Sequence, residues 1–139
     1  MKKIGGVVVS HGQFANELLS AAEQVVGEIP HIAAVSIGWH DNVEVAQGEI
    51  ERAIKSVSSG HGVLLLTDMF GGTPTNISAM FLKENEVEVV TGVNLPMVIK
   101  LASQSKEMTL SEMAEAVEKQ GKQSIYKASD LLDPHKSKA

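Results

Sequence analysis

Strand-like and helix-like segments alternate along nearly the whole chain, and this alternation limits the fold more than any other feature of the sequence. Four short runs rich in β-branched and aliphatic residues are each followed by a segment with apolar residues at helical spacing. The third run, residues 63–67, is almost purely apolar, as is typical of a strand in the centre of a parallel sheet. We therefore predict an α/β fold: a parallel four-stranded sheet with flavodoxin-like strand order and helices on both faces.

The same patterns predict where the individual elements begin and end. Asp41 is the predicted cap of the second helix, and Gly121 marks the predicted end of the last one. We expect one domain over residues 1–130, a short last strand at 124–126 and a flexible C-terminal tail over 131–139. The predicted strands are 4–9, 32–37, 63–67 and 87–91, and the predicted helices are 13–26, 42–57, 75–83, 96–103 and 110–119.

Composition excludes several classes of function. The chain of 139 residues has no cysteine, which rules out disulfides, thiolate catalysis and cysteine zinc sites. A net charge of −5 without a run of Lys or Arg argues against a nucleic-acid surface. The sequence contains neither an apolar stretch near the ~20 residues that span a bilayer nor a signal-peptide pattern, so we expect a cytoplasmic protein.

His11 ends the first predicted strand and is followed by Gly12 and a helix-like segment. In open α/β sheets, ligands bind at this carboxyl edge of the strands. An imidazole at such a junction can act as a nucleophile, a base or a metal ligand near neutral pH, although a surface histidine in a loop would give the same local pattern.

Asp68 begins the densest motif of the chain, Asp68-Met69-Phe70-Gly71-Gly72-Thr73-Pro74. Two glycines let the backbone take positive φ and approach a ligand closely. Thr73 is a good N-cap and Pro74 suits the first helical position, so the free amides of this helix start favour an anion. A capped turn without a ligand would use the same residues.

The predicted strand order brings these two motifs together. Strands one and three are neighbours at the switch point of a flavodoxin-like sheet, which places His11 beside Asp68. A carboxylate that accepts from one ring nitrogen leaves the other nitrogen with its lone pair outward. No serine is well placed as a nucleophile, since Ser10 would face away from His11 if the strand continues. These residues fit a phosphohistidine site with an aspartate partner and no nucleotide.

Three segments carry a resemblance to a known family: residues 7–12, residues 67–76 and Thr91-Gly92-Val93-Asn94-Leu95-Pro96-Met97. In order and spacing, over residues 1 to about 130, the chain resembles a IIA component of the mannose family of the phosphoenolpyruvate-dependent sugar phosphotransferase system (PTS EIIA, mannose type). In that family a histidine takes a phosphoryl group from the phosphocarrier HPr and passes it to a IIB partner, for sugar uptake through a IIC/IID permease in the membrane.

The resemblance implies roles for particular residues. His11 is then the phosphoryl acceptor at Nε2, Asp68 bonds Nδ1, and Gly71, Gly72 and Thr73 bind phosphate. It also implies a fifth antiparallel strand, around residues 124–126, that is exchanged in a homodimer. The chain ends without a linker or IIB domain, so we expect a separate IIB protein and, as an enzyme, a phosphotransferase with a phosphohistidine intermediate.

Further residues are candidates for the rim of the site or for a docking surface: Ser10, Trp39, His40, Phe70, Leu95, Pro96 and Met97. No histidine pair has the i, i+4 spacing of a helical metal site, and we expect neither a metal nor a cofactor.

Other functions remain open at this stage. A response-regulator receiver also has an aspartate after strand three, but it needs an acidic pair after strand one for Mg²⁺. The phosphoryl donor subunit of a dihydroxyacetone kinase shares the histidine, and a regulatory sensor of phosphorylation state without a transport role would share the whole site.

Overall fold

The computed structural model describes residues 2–38 and 41–132 of the chain. Strands and helices alternate through β4, and three helices then close the described part of the chain. The strands are β1 (Gly5–His11), β2 (Ile32–Ile37), β3 (Val63–Thr67) and β4 (Val87–Thr91), and the helices are α1 (Phe14–Val26), α2 (Val43–Val57), α3 (Gly72–Ala79), α4 (Leu95–Ala102), α5 (Leu110–Gln123) and α6 (Ala128–Leu132).

The four strands form one parallel sheet in the order β2-β1-β3-β4. This confirms the predicted sheet and the adjacency of strands one and three. His11 pairs with Ile37 on one side of β1, and Val9 pairs with Thr67 on the other. The carboxyl ends of β1, β2 and β3 therefore lie next to one another.

Alternating side chains along the central strands build two apolar cores, one on each face of the sheet. Val8, Leu64 and Leu66 pack under α1, α4 and α5, and Val7, Val9 and Leu65 belong to the core on the side of α2 and α3. Each of these six side chains is fully buried. Because β1 and β3 are covered on both faces, their side chains are apolar along most of the strand. Polar residues occur only where each strand ends, at the edge that carries the site.

Helix ends differ from the prediction where side chains compete to cap them. Asn42, not Asp41, caps α2 by accepting from the backbone N–H of Val45, while Asp41 accepts from the N–H of Gly38. Gly121 does not end α5, which continues to Gln123. It is buried inside the helix, where an added Cβ would lie 2.5 Å from Sδ of Met97.

The fifth strand expected at residues 124–126 does not form within the single chain. Ser124 ends α5, and Ile125 and Tyr126 follow without regular structure, 78% and 64% exposed. The short helix α6, which the sequence pattern did not predict, then extends to Leu132, and the rest of the expected tail, 133–139, lies outside the described residues. Among the helices of the described ranges, none has the length and apolar character needed to cross a membrane.

Candidate functional site

His11 and Asp68 meet at the carboxyl edge of the sheet. Nδ1 of the imidazole lies 2.8 Å from Oδ2 of Asp68, and the backbone N–H of His11 donates to the same oxygen at 2.8 Å. The aspartate side chain is 15% exposed, whereas the histidine side chain is 53% exposed. A half-exposed ring is thus held from its buried side by a nearly buried carboxylate.

Strand order explains how two residues so far apart in sequence come together. Because Val9 pairs with Thr67, Asp68 is the first residue beyond β3 and lies beside the last residues of β1. Oδ1 of Asp68 is buried and has no hydrogen-bond partner among the described residues, so only Oδ2 is engaged, by His11. The juxtaposition that the predicted topology required is present in the structure.

The hydrogen bond determines which ring nitrogen is reactive. An ionised carboxylate can only accept, so the proton of a neutral imidazole must lie on Nδ1 when the ring faces Asp68. Nε2 then carries the lone pair. Such a ring can attack an electrophile at Nε2 without first losing a proton, and the carboxylate stabilises the positive charge that the ring gains.

Gly72 lies next to the imidazole, and Gly71 precedes it in the same turn. Both have left-handed backbone, with φ of +84° and +82°, which glycine adopts without steric cost. A Cβ at Gly72 would lie 3.1 Å from Cε1 and 3.4 Å from Nε2 of His11, so this glycine allows the backbone to lie directly against the reactive side of the ring.

Helix α3 begins earlier than predicted, and its cap is different. Gly71 occupies the N-cap position without a side-chain hydrogen bond, so Thr73 lies inside the first turn and is not the cap. The amides of Gly72 and Thr73 belong to the first turn, whose N–H groups have no partner within a helix, and Pro74 contributes none. The first-turn amides therefore begin two residues earlier in the chain than a Thr73 cap would give.

A buried hydrogen-bonded pair of threonines underlies this turn, and the sequence motif did not indicate it. The hydroxyls of Thr67 and Thr75 lie 2.8 Å apart, and Thr75 Oγ1 also lies 2.5 Å from the carbonyl oxygen of Met69. The available signal for this pair was a threonine at the end of a buried strand followed by a threonine in the next helix. Thr75 was predicted only to begin that helix.

The candidate rim residues divide into several groups. Phe70 is 84% exposed, and Leu95 and Pro96 are half-buried. Ser10 is wrong as a rim residue, because it is fully buried and its Oγ accepts from the N–H of Ala15 at 2.6 Å, which anchors the start of α1. Met97 is also wrong, because it is 3% exposed and packs in the core beneath α5.

Trp39 and His40, which were also candidates, lie outside the described residues. Sequence reasoning missed Phe14 and Met69, which are 45% and 54% exposed and adjoin the two site motifs along the chain. An apolar residue at the start of α1 and another directly after Asp68 were the available signals. Within residues 2–38 and 41–132, no group of three or more His, Asp or Glu side chains is arranged to hold a metal ion.

Known proteins resemble this chain over most of its length. The family model described as "PTS system fructose IIA component" matches residues 5–118. The fructose-specific EIIA component of Bacillus subtilis is 28% identical over 135 residues, covering 96% of this chain and 92% of that protein. The sorbose-specific EIIA component of Lacticaseibacillus casei is 30% identical over 108 residues, 77% of this chain and 78% of that protein. The solved structure of a mannose/sorbose specific IIA subunit from Enterococcus faecalis superimposes with a TM-score of 0.80 at 29% identity, over 90% of this chain and 94% of that one.

Proposed function

Because the chain belongs to the mannose-type IIA family of the sugar phosphotransferase system, we propose that it is a phosphocarrier with His11 as its phosphoryl acceptor. The donor is HPr and the acceptor of the next step is a IIB partner. The observation that carries this proposal is the 2.8 Å hydrogen bond between Nδ1 of His11 and Oδ2 of Asp68, which leaves Nε2 unprotonated and outward.

The transfer step follows from that geometry. The lone pair of Nε2 attacks the phosphorus atom, the bond from phosphorus to the donor breaks, and its electron pair stays with the donor. Nδ1 keeps its proton throughout, so the phosphorylated ring is cationic and Asp68 faces it with a negative charge. In the onward step a nucleophile of IIB attacks the phosphorus atom, the bond between Nε2 and phosphorus breaks, and its electron pair returns to Nε2. The protein itself neither gains nor loses a proton at Nδ1.

The first turn of α3 supplies a place for the phosphoryl oxygens. Gly72 brings the backbone against the ring, and the amides of Gly72 and Thr73 are free to donate. The positive end of the helix dipole adds to their attraction for an anion. Negative charge that builds on the oxygens during transfer is stabilised there.

Exposed apolar side chains near His11 favour a protein donor over a small phosphorylated metabolite. Phe14, Met69 and Phe70 are each 45% exposed or more and flank the two site motifs. Glu17 and Glu44 lie in the first turns of α1 and α2, whose N-termini are at the same edge of the sheet. Apolar anchors with an acidic rim suit a protein surface that is apolar at its centre and basic around it.

A homodimer that exchanges the segment after α5 is the second part of the proposal. Strand β4 is at the edge of the sheet and pairs only with β3 among the described strands. A groove of about 580 Å³ runs between β4 and α5 and is lined by Val90, Ala114 and Ile125, among others. Uncovered strand edges are normally covered by another element. Exchange of this segment between two copies would cover the edge of β4 and would also bury the exposed side chains of Ile125 and Tyr126.

Mass spectrometry tests the acceptor directly. Incubation with phosphoenolpyruvate, enzyme I and HPr should add one phosphoryl group that is lost in acid, and His11→Ala should abolish the addition. His61→Ala is the matched control, because His61 is an exposed histidine next to β3 at the opposite edge of the sheet, and it should take the label like the wild type. Label that persists on His11→Ala refutes the assignment.

A further inference from the structure

The hydroxyl of Thr75 is hydrogen-bonded to the residues on both sides of Asp68, to the backbone of one and to the side chain of the other. It lies 2.5 Å from the carbonyl oxygen of Met69 and 2.8 Å from the hydroxyl of Thr67. Since a carbonyl can only accept, Thr75 donates to Met69, and Thr67 must then donate to Thr75. One side chain of α3 is thereby bonded to the residue before Asp68 and to the residue after it.

These hydrogen bonds are shielded from water. Thr67 is fully buried and Thr75 is 7% exposed. The carbonyl oxygen of Thr67 also accepts from the N–H of Val93 at 2.9 Å, which fixes the end of β3 to the chain that follows β4. Thr75 therefore connects the turn that carries Asp68 to a rigid part of the sheet, through groups that solvent cannot replace at low cost.

The carboxylate of Asp68 has little other support. Oδ2 faces only His11, and Oδ1 is buried without a partner in the part of the chain that the structure describes. Apart from the backbone N–H of His11, no donor among the described residues holds the carboxylate, so its direction depends on that N–H and on where the backbone of Asp68 is held. A shift of that backbone would move Oδ2 away from Nδ1 and release the ring.

We propose that Thr75 is a positioning residue for phosphoryl transfer, which acts by fixing the backbone on both sides of Asp68 so that its carboxylate selects the reactive tautomer of His11. This inference rests on the proposed function for its kinetic part only. Thr75 touches neither the ring nor the phosphoryl group, so its effect must pass through Asp68.

The variants separate this role from ordinary packing of α3. Thr75→Val removes the hydroxyl at nearly constant volume, and Thr75→Ser keeps the hydroxyl but removes the methyl group. Ser78→Ala is the matched control, because Ser78 is fully buried in the same helix and its hydroxyl has no hydrogen-bond partner among the described residues. Thermal melting measures the stability of each variant, and Thr67→Val provides a second disruption of the same pair if Thr75→Val does not fold.

The first measurement needs no phosphoryl transfer. Long-range ¹H–¹⁵N spectra of the imidazole report which ring nitrogen of His11 carries the proton. Wild type, Thr75→Ser and Ser78→Ala should show the Nδ1–H form, whereas Thr75→Val should shift toward the mixture found in a free imidazole. An unchanged tautomer in folded Thr75→Val, or in Thr67→Val if the former does not fold, overturns the proposal.

The second measurement is the rate of transfer from phosphorylated HPr. Thr75→Val should lower the maximal rate about 10- to 100-fold, the scale of a sub-ångström to 1 Å misplacement, with the KM for HPr within about twofold of wild type. In an Asp68→Ala background the same substitution should have no further effect on the rate. An equal loss in both backgrounds would show that Thr75 acts independently of Asp68 and overturns the proposal. If wild type accepts no phosphoryl group at all, the proposed function fails, while the tautomer measurement still decides the role of Thr75.

Discussion

Gly71 and Gly72 are adjacent and have nearly the same positive φ, so alanine at each position separates backbone strain from contact with the ring. Their φ angles are +84° and +82°, and an L-residue in this region costs about 1–2 kcal/mol. Both alanine variants should lose about that much unfolding free energy, which corresponds to a fall in Tm of roughly 3–10 °C for a domain of this size.

Only Gly72→Ala should also disturb His11. Its Cβ would lie 3.1 Å from Cε1 and 3.4 Å from Nε2, whereas no heavy atom lies within 4 Å of a Cβ at Gly71. Carbon atoms prefer a separation of about 3.5–4.0 Å, so the ring must move away by about half an ångström or more. That displacement lengthens the hydrogen bond to Asp68, and the new methyl group also covers the approach to Nε2. We expect a loss of transfer rate of about tenfold or more in Gly72→Ala.

Two assays on the same pair of proteins test this reasoning. Urea or thermal unfolding should place the two variants within about 1 kcal/mol of each other, because the cost of left-handed strain is similar at both positions. Rapid-quench measurement of transfer from phosphorylated HPr should leave Gly71→Ala within about threefold of wild type and slow Gly72→Ala, as expected for misplaced reacting groups. Equal rates in the two variants would refute the claim that Gly72 is needed for the close approach of backbone to ring.

Three other predictions concern the carboxylate, the dimer and the cap of α5. Asp68→Asn should slow transfer by orders of magnitude, because an amide can donate to Nδ1 and hold the wrong tautomer, and wild-type rates would make Asp68 structural only. Deletion of residues 124–139 should convert a dimer into a monomer in sedimentation, and an intact dimer would place the interface elsewhere. The N–H and the hydroxyl of Thr109 lower the pKa of Glu112, so its stabilisation is present above the ordinary pKa of 4.5 and is lost as pH falls through the lowered value. Urea unfolding of Glu112→Ala should therefore show a deficit at neutral pH that shrinks in acid, and a constant deficit would contradict the assignment.

The central features of the fold were predictable because they depend on burial. The apolar run of the fully buried β3 set its bounds to the residue, and strand order then placed His11 beside Asp68. A buried strand in a parallel sheet has an unmistakable composition, and its neighbours follow from the few topologies that right-handed connections allow.

What the sequence did not predict depends on contacts between distant residues. Thr73 and Pro74 form a good helix start locally, but α3 begins at Gly72, which lies against the ring of His11. Met97 was a candidate for docking because it lies in a loop-like motif, yet the absence of a side chain at Gly121 allows α5 to cover it. A close contact between two helices, such as that of Gly121 with Met97, does not change the spacing of apolar residues and so cannot be seen in the sequence pattern.

The position of β1 between β2 and β3 has a consequence for how the two states of a carrier differ. Opening β1 locally would break two ladders at once, so its amides should exchange with solvent only at free energies near that of global unfolding. In the proposed cycle, a phosphoryl group on His11 at the end of such a strand would leave the protected core the same. The phosphorylated form then differs from the empty form chiefly in charge at one edge: the phosphoryl oxygens carry about two negative charges and the ring carries one positive charge, a net change of about −1. Partner proteins would distinguish the two forms by electrostatic potential, and a change of shape would not be required.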